Sequence, residues 1–344
     1  MIGTRTPFRM SFVGGGSDLK EFYNRQEGCV LSTTIDKYMY IFIHPYFDGR
    51  IQIKYSKTEL VDKIDAIEHP IVREAMNRFK LSGVDINSIA DIPAGTGLGS
   101  SSSFTVGLLH TLYSYVGQTV DAERLAAEAC EIEIDILNEP IGKQDQYAAA
   151  YGSLNVIRFQ TDGTVKVEPV IMEPDHYQKL QNNLLMFYTG TTRSASGVLQ
   201  DQKNNLLNER DKFDSLIRMT QLVEKASACL TNSDLVGFGK ILDENWQLKK
   251  SLSSKISGST IDDIYAIAPF FFAVAYISTI DDIYATAKKN GAIGGKLLGA
   301  GGGGFLLFYC EAENHDRLRT ALSSLREIRF KFDHGGSRRI KIYE

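Results

Sequence analysis

Pro93-Ala-Gly-Thr-Gly-Leu-Gly-Ser-Ser-Ser-Ser103 follows a strand-like stretch ending at Ile92 and leads into a helical pattern running from about Ser101 to Val116. Gly95, Gly97 and Gly99 let the backbone take positive φ and approach a ligand closely, so several N–H groups can converge on one anion. The serines then open a helix whose positive dipole end faces the same anion. A polyphosphate fits such a loop. No Gly-Lys-Ser/Thr follows at Walker A spacing, and no acidic residue stands where a dinucleotide-binding unit needs one, so those two nucleotide folds drop out. A flexible serine-glycine turn is the plain alternative. Such a linker is not expected to run straight into an amphipathic helix with Phe104, Leu108, Leu112 and Tyr115 on one face.

Working outward, alternation over Thr4 to Val13 puts Phe8, Met10 and Phe12 on one face of a strand and Arg9 and Ser11 on the other. Tyr38 to Tyr46 and Ile51 to Ser56 predict two strands, with Asp48-Gly49 between them as a hairpin turn. Helices are predicted over 68–80 and 121–137, the second capped by Asp121, and strands over 154–159, 165–170 and 184–188. Long helices over 194–230 and 233–252 follow. A glycine-rich turn, a strand over 305–310, a helix over 314–325 and two short strands close the chain. The class is α+β, with a boundary near Pro174 that divides 1–174 from 175–344. Ser-Thr-Ile-Asp-Asp-Ile-Tyr-Ala occurs at 259–266 and again at 278–285. Two copies are too few for a solenoid and indicate a local duplication. The apolar residues between them, 267–277, are too few to span a bilayer and include Pro269.

With 344 residues and 43% apolar content, the chain is long enough for two cores. Its net charge of −4 gives no global attraction to nucleic acid or anionic lipid, so neither is expected as a partner. The first sixteen residues have no signal-peptide core, and a soluble cytoplasmic protein is expected. Cys29, Cys130, Cys229 and Cys310 lack metal-ligand spacing and read as reduced core residues.

Three motifs in the same order resemble the GHMP kinase superfamily: Pro7-Phe-Arg-Met-Ser-Phe-Val-Gly-Gly-Gly-Ser-Asp18, the loop from Pro93, and Gly294-Gly-Lys-Leu-Leu-Gly-Ala-Gly-Gly-Gly-Gly-Phe305. The resemblance implies a ribosomal-protein-like N-terminal domain (1–174), a ferredoxin-like C-terminal domain (175–344) and an active site between them. It also implies an ATP-dependent kinase whose nucleotide is held by Pro93, Gly95, Gly97, Leu98, Gly99, Ser100, Ser101 and Ser102. Glu139-Pro-Ile-Gly-Lys-Gln-Asp-Gln-Tyr-Ala-Ala-Ala-Tyr-Gly152 resembles the galactokinase block that carries the catalytic aspartate, here Asp145, with Arg9 as the arginine beside it. An arginine within about 4 Å favours the ionised carboxylate that accepts a hydroxyl proton. Residue chemistry alone also allows Asp145 to cap the following helix.

Ser101 and Glu133 match the family's Mg2+ ligands, hard oxygens beside the triphosphate, with Glu131 and Asp135 as rivals on the same helix. All three acids read equally well as a solvated helix face. The third glycine block, with seven glycines from 294 to 304, is too glycine-rich for a regular strand and is expected to be a tight turn closing the site, with Gly301 against the substrate. Within it Lys296 reads either as a phosphate contact or as an exposed charge.

Asp18 stands where the sugar-binding aspartate of galactokinases stands, with Gly15 and Gly16 in place of their glutamate and histidine and Ser17 in place of their threonine. Together with Gly-Lys-Gln-Asp-Gln-Tyr, this pattern is similar to bacterial D-glycero-D-manno-heptose 7-phosphate kinases. The implied substrate is a small sugar phosphate, phosphorylated at the anomeric hydroxyl to the 1,7-bisphosphate. Thr189-Gly190-Thr-Thr-Arg193-Ser-Ala-Ser196 offers hydroxyls and a cation for a distal phosphate, or is an ordinary capped helix start. Unphosphorylated fucose, galactose or a uronic acid is the alternative acceptor. A sugar- and ATP-binding regulator without turnover is the third reading, and a homodimer is a possible assembly.

Overall fold

The computed structural model describes residues 1–191, 195–253, 256 and 279–340. Two sheets organise them. The larger is built on β1 (Ile2–Val13) and β2 (Gly28–Pro45), antiparallel over almost the whole length of β1. β2 is long because it is paired on both edges. β6 (Asn155–Phe159) lies beside its first residues, and β5 (Val84–Ala90) lies beside its last. Phe8, Met10 and Phe12 all point into the core, as alternation predicts.

The hairpin expected at Asp48-Gly49 is not formed. Gly49 does turn, at φ 80°, but β3 (Ile51–Lys54) pairs in parallel with β5 and antiparallel with β4 (Thr58–Val61). β5 therefore lies between the two strands that the turn joins. Two adjacent strand signals and a Gly turn do not specify a hairpin when a later strand competes for the same edge.

α1 (Lys20–Tyr23) is a single turn after β1, α2 (Pro70–Phe79) precedes β5, and α3 (Ser100–Tyr115) packs on β1 and β2 with most of its residues buried. α4 (Ala122–Cys130) is capped as expected, with the Asp121 carboxylate accepting from Arg124 N at 2.8 Å. It ends early, in a π-helical turn over Glu131–Ile136. α5 (Gln144–Tyr151) packs on α3 and α4, and β7 (Val165–Pro169) pairs with β6. α6 (Pro174–Asn182), with its proline at the helix start, was not anticipated.

β8 (Leu184–Tyr188) enters the second sheet. The single helix expected over 194–230 is two, α7 (Ala195–Asn208) and α8 (Arg210–Thr231), broken where Glu209 takes an extended conformation. α9 (Leu235–Ser251) starts at the Asp234 cap and packs on α8, while α10 (Ile280–Lys289) starts at a capping box between Thr279 and Asp282. Thr279 and Asp282 belong to the second copy of the duplicated segment. The first copy and the apolar residues 267–277 lie outside the described residues.

β9 (Ala292–Leu297) pairs with β10 (Phe305–Cys310), so the third glycine block is not all turn. Gly294 and Gly295 are strand residues. A Cβ on Gly294 would lie 1.9 Å from the Gly239 carbonyl of α9, and its absence lets helix and strand touch. After α11 (His315–Ala321), β11 (Arg326–Glu327) pairs with β8. The chain then returns to the larger sheet, where β12 (Phe332–Asp333) pairs with β2 and β13 (Arg338–Ile340) with β1. The Phe12 ring meets Phe238 of α9 edge-on at 5.4 Å, joining the two layers. Cys29, Cys130 and Cys310 are buried free thiols, and Cys229 is partly exposed.

Candidate active site

A cleft of about 720 Å³ opens where β1, the loop before α3, the π-helical turn and α5 converge. Gly95, Gly97 and Gly99 have φ of 75°, 82° and 74°, and this left-handed alternation folds the loop against the first turn of α3. A Cβ on Gly97 would lie 2.4 Å from the Leu298 carbonyl, so the loop is held tight against the third glycine turn. Ala94, Gly95, Gly97 and Gly99 to Ser102 line the cleft. Pro93 and Leu98 do not. The Pro93 carbonyl accepts from Thr96 Oγ1, and Leu98 is buried, with its carbonyl taking the Arg9 N–H.

Arg9 grips Asp145 with a fork, Nε to Oδ1 at 2.7 Å and Nη2 to Oδ2 at 2.8 Å, and its Nη1 donates to the Gly97 carbonyl. The pair joins the first strand, α5 and the phosphate loop. Asp145 lies inside the first turn of α5 and is not its cap, which is Lys143. It reaches the cleft.

Helical spacing separates the three acids of the π-helical turn. Glu131 faces outward to Arg78 at 2.8 Å, and Asp135 is exposed. Glu133 is fully buried and accepts from Ser101 Oγ at 2.9 Å and Gln146 Nε2 at 2.7 Å. Burial pushes its carboxyl up to about 7, against the opposing hydrogen bonds from Gln146 and the serines. Among the described residues no cation lies within ion-pair distance of it and no group of three or more His, Cys, Asp or Glu gathers around it, and its oxygens and Ser101 Oγ are the hard donors a divalent ion takes.

Asp18 is buried beside this pair. Its Oδ1 accepts from Gly16 N at 3.0 Å and Gln144 Nε2 at 3.1 Å, and burial, with Asp145 nearby, raises its carboxyl above the usual value. Gly16 and Asp18 line the cleft. The Ser17 hydroxyl instead donates within the fold to the carbonyls of Gly14 and Cys29, and Gly15 abuts Lys249 behind the wall.

Thr189, Gly190 and Gly301 are not on the cleft wall. Thr189 Oγ1 bonds Gly304, and Gly301 packs on Ile256, whereas Gly299 and Ala300 reach the cleft. Arg193 lies outside the described residues. Lys296 is neither exposed nor on the cleft wall. It is buried, with Nζ donating to the Ser11 carbonyl at 2.7 Å, and burial holds its ammonium well below the usual value.

Sequence reasoning missed several lining residues. His69 stacks on Phe104 at 5.1 Å and meets Tyr55 edge-on, and burial lowers its imidazole below the ordinary value. With Met39, Ile71 and Ile92 they form a flat apolar end to the cleft, next to the phosphate loop. Gln144 and Gln146 flank Asp145 in a block already singled out. Lys249, from α9, had no motif to mark it.

An anion loop at a helix start, a forked acid-arginine pair and two buried carboxylates on a two-sheet α+β fold define a small-molecule phosphotransferase. Models of the GHMP kinase N-terminal and C-terminal domains match residues 64–153 and 226–328, together more than half of the chain. The chain belongs to the GHMP kinases. It is 28% identical to a D-glycero-alpha-D-manno-heptose 7-phosphate kinase of Campylobacter jejuni, over 93% of both chains. It is 26% identical to a bifunctional fucokinase/GDP-fucose pyrophosphorylase of Arabidopsis thaliana, over 94% of this chain and 31% of that protein. A crystal structure described as a D-glycero-D-manno-heptose 1-phosphate kinase from Bacteroides thetaiotaomicron superposes with a TM-score of 0.78 at 23% identity, covering all of both chains. Among the described residues no helix is long and apolar enough to cross a membrane.

Proposed function

We propose that this chain transfers the γ-phosphoryl group of ATP to the anomeric hydroxyl of a sugar phosphate, D-glycero-D-manno-heptose 7-phosphate, giving the 1,7-bisphosphate and ADP. The observation that carries this reading is the fork between Arg9 and Asp145, held between the phosphate loop and Asp18. The triphosphate lies along Gly95 to Ser102, and its base packs against the apolar end lined by Tyr55, His69 and Phe104. Asp18 accepts hydrogen bonds from sugar hydroxyls and turns the anomeric oxygen toward Asp145. As that oxygen bonds to phosphorus and the bond to the β-phosphate oxygen breaks, its proton passes to Asp145. Arg9 balances the carboxylate charge and ties the base to the loop.

Ser101 and Glu133 would hold Mg2+, which neutralises phosphate charge when bound. The N-terminal unit, 1–174, supplies the loop, the base and the metal ligands. The second stretch, 175–344, closes the cleft through Leu199, Lys249, Gly299 and Ala300, while its last strands, within 332–340, belong to the larger sheet. The heptose relative from Campylobacter supports the choice of acceptor. The fucokinase relative supports the second reading, an unphosphorylated sugar. ADP release with magnesium-ATP across sugars and sugar 7-phosphates, with Asp145→Asn as blank, tests both. Turnover of heptose 7-phosphate above all other acceptors is expected. Turnover of free fucose alone favours the second reading, and silence across the panel favours a non-catalytic binder.

A further inference from the structure

α9 carries two polar side chains one turn apart, Asn245 and Lys249, on a buried face otherwise made by Phe238, Leu242 and Trp246. Both turn to the glycines before Asp18. Asn245 Oδ1 accepts from Gly14 N at 3.2 Å, and Lys249 Nζ donates to the Gly15 carbonyl at 3.3 Å. Among the described residues that long bond is the hydrogen bond Lys249 makes, and no carboxylate lies within 4 Å of it. Yet the side chain is buried, and it lines the cleft. An ammonium has three donors to satisfy, and a buried one needs an anion beside it.

The surroundings are polar. Among the described residues Ser11 Oγ and Gln144 Oε1 are buried without hydrogen-bond partners. A Cβ placed on Gly15 would lie 3.6 Å from Ser11 Oγ, 3.7 Å from Lys249 Nζ and 3.8 Å from Gln144 Nε2, so these polar groups converge at contact distance on the Gly15 backbone. Of them, Lys249 and Gln144 reach the cleft, on the acceptor side of the site. Arg9 bonds the carbonyls of Gly97 and Leu98 in the phosphate loop, whereas Lys249 bonds the segment that presents Asp18. Burial lowers the Lys249 ammonium to about 8, with Asp18 pulling the other way, so it is mostly charged at neutral pH.

We propose that Lys249 is a specificity-determining residue whose ammonium binds an oxygen of the phosphate that the acceptor sugar already carries. The inference rests on the sugar-phosphate reading above. Asp18 then takes the sugar's hydroxyls and Lys249 its anionic end, so opposite charges on the wall sort the two parts of one molecule. The phosphoryl group in transfer is another source of phosphate oxygens, and the test separates the two.

Lys249→Met, Lys249→Arg and Arg193→Ala are assayed against D-glycero-D-manno-heptose 7-phosphate and D-glycero-D-manno-heptose at saturating magnesium-ATP, with thermal melting as the check on folding. The expected result is that Lys249→Met raises KM for the 7-phosphate about tenfold or more and lowers its preference over the free heptose by a similar factor. Lys249→Arg, which keeps the charge, should recover part of both and remains informative if the methionine variant is unstable. An equal loss on both acceptors would point to the transferred group or to a structural role and overturn the inference. So would an unchanged preference, with Arg193→Ala then showing whether that residue carries it. A wild-type enzyme that does not prefer sugar phosphates overturns the earlier reading as well, and that failure is visible without any variant.

Discussion

Arg9 donates twice to Asp145 and once to Gly97, so the proposed base and the phosphate loop keep one geometry. Asp145→Asn preserves the shape and removes the proton acceptor. Its kcat should fall roughly 100- to 10,000-fold while affinity for ATP changes little, measured by ADP release and by nucleotide titration. Glu133 yields a prediction with a sign. Burial pushes its carboxyl up to about 7 from an ordinary value of 4.5, so between those pH values the folded metal-free protein keeps a proton that the unfolded chain has lost. The stability it contributes is fully present below about 4.5 and is lost as pH rises through 7, a change of roughly a few kcal/mol. Glu133→Gln removes this slope. Urea unfolding in a chelator should show the variant gaining on the wild type from pH 5 to pH 8, and magnesium-ATP should restore the wild type. An equal difference at both pH values would contradict this account.

At the scale of elements, two glycine turns are pressed together. Gly97 stands at φ 82°, and a Cβ there would collide with the Leu298 carbonyl. Gly97→Ala therefore strains the backbone and pushes the loop off its neighbour, at about 1–3 kcal/mol. A lower melting temperature and a raised KM for ATP are expected together, and a change in only one would separate loop strain from loop function. The existence of that loop was legible in the sequence because glycine spacing is a local property. The extent of the third block was not. Seven glycines read as a turn, yet Gly294 and Gly295 lie in β9 because α9 crosses there, which no local pattern reports. The π-helical turn was equally hidden, but the inward face of Glu133 was not, because 3.6 residues per turn already put 133 opposite 131 and 135.

At the scale of the molecule, the last described strands complete the sheet that the first residues begin. Asp333 accepts from Tyr38 at 2.7 Å and pairs with Arg338, and Phe332 packs on Phe12. None of residues 330–340 lines the cleft. Deleting 330–344 should still destabilise the enzyme by about 3 kcal/mol or more, because a buried aromatic and two strand pairings are lost together. Thermal melting of the truncated chain checks this. An unchanged melting temperature would mean that the larger sheet stands without its return strands.

The sequence by itself determined the kinase class, because three motifs in one order resemble a family, and it marked the glycine loop, Arg9, Asp145 and Asp18 through that resemblance and not through their own chemistry. It also placed most helices and strands, where periodicity over a few turns is enough. Only the tertiary structure decided which residues share the cleft. β5 enters between two strands adjacent in sequence, and His69 stacks on Phe104 across the flat end of the site. Lys249 reaches Gly15 from 234 residues away. Such contacts depend on how a helix face meets a sheet edge, and a polar residue inside an apolar helical face looks the same in sequence whether it meets solvent, a carbonyl or a substrate.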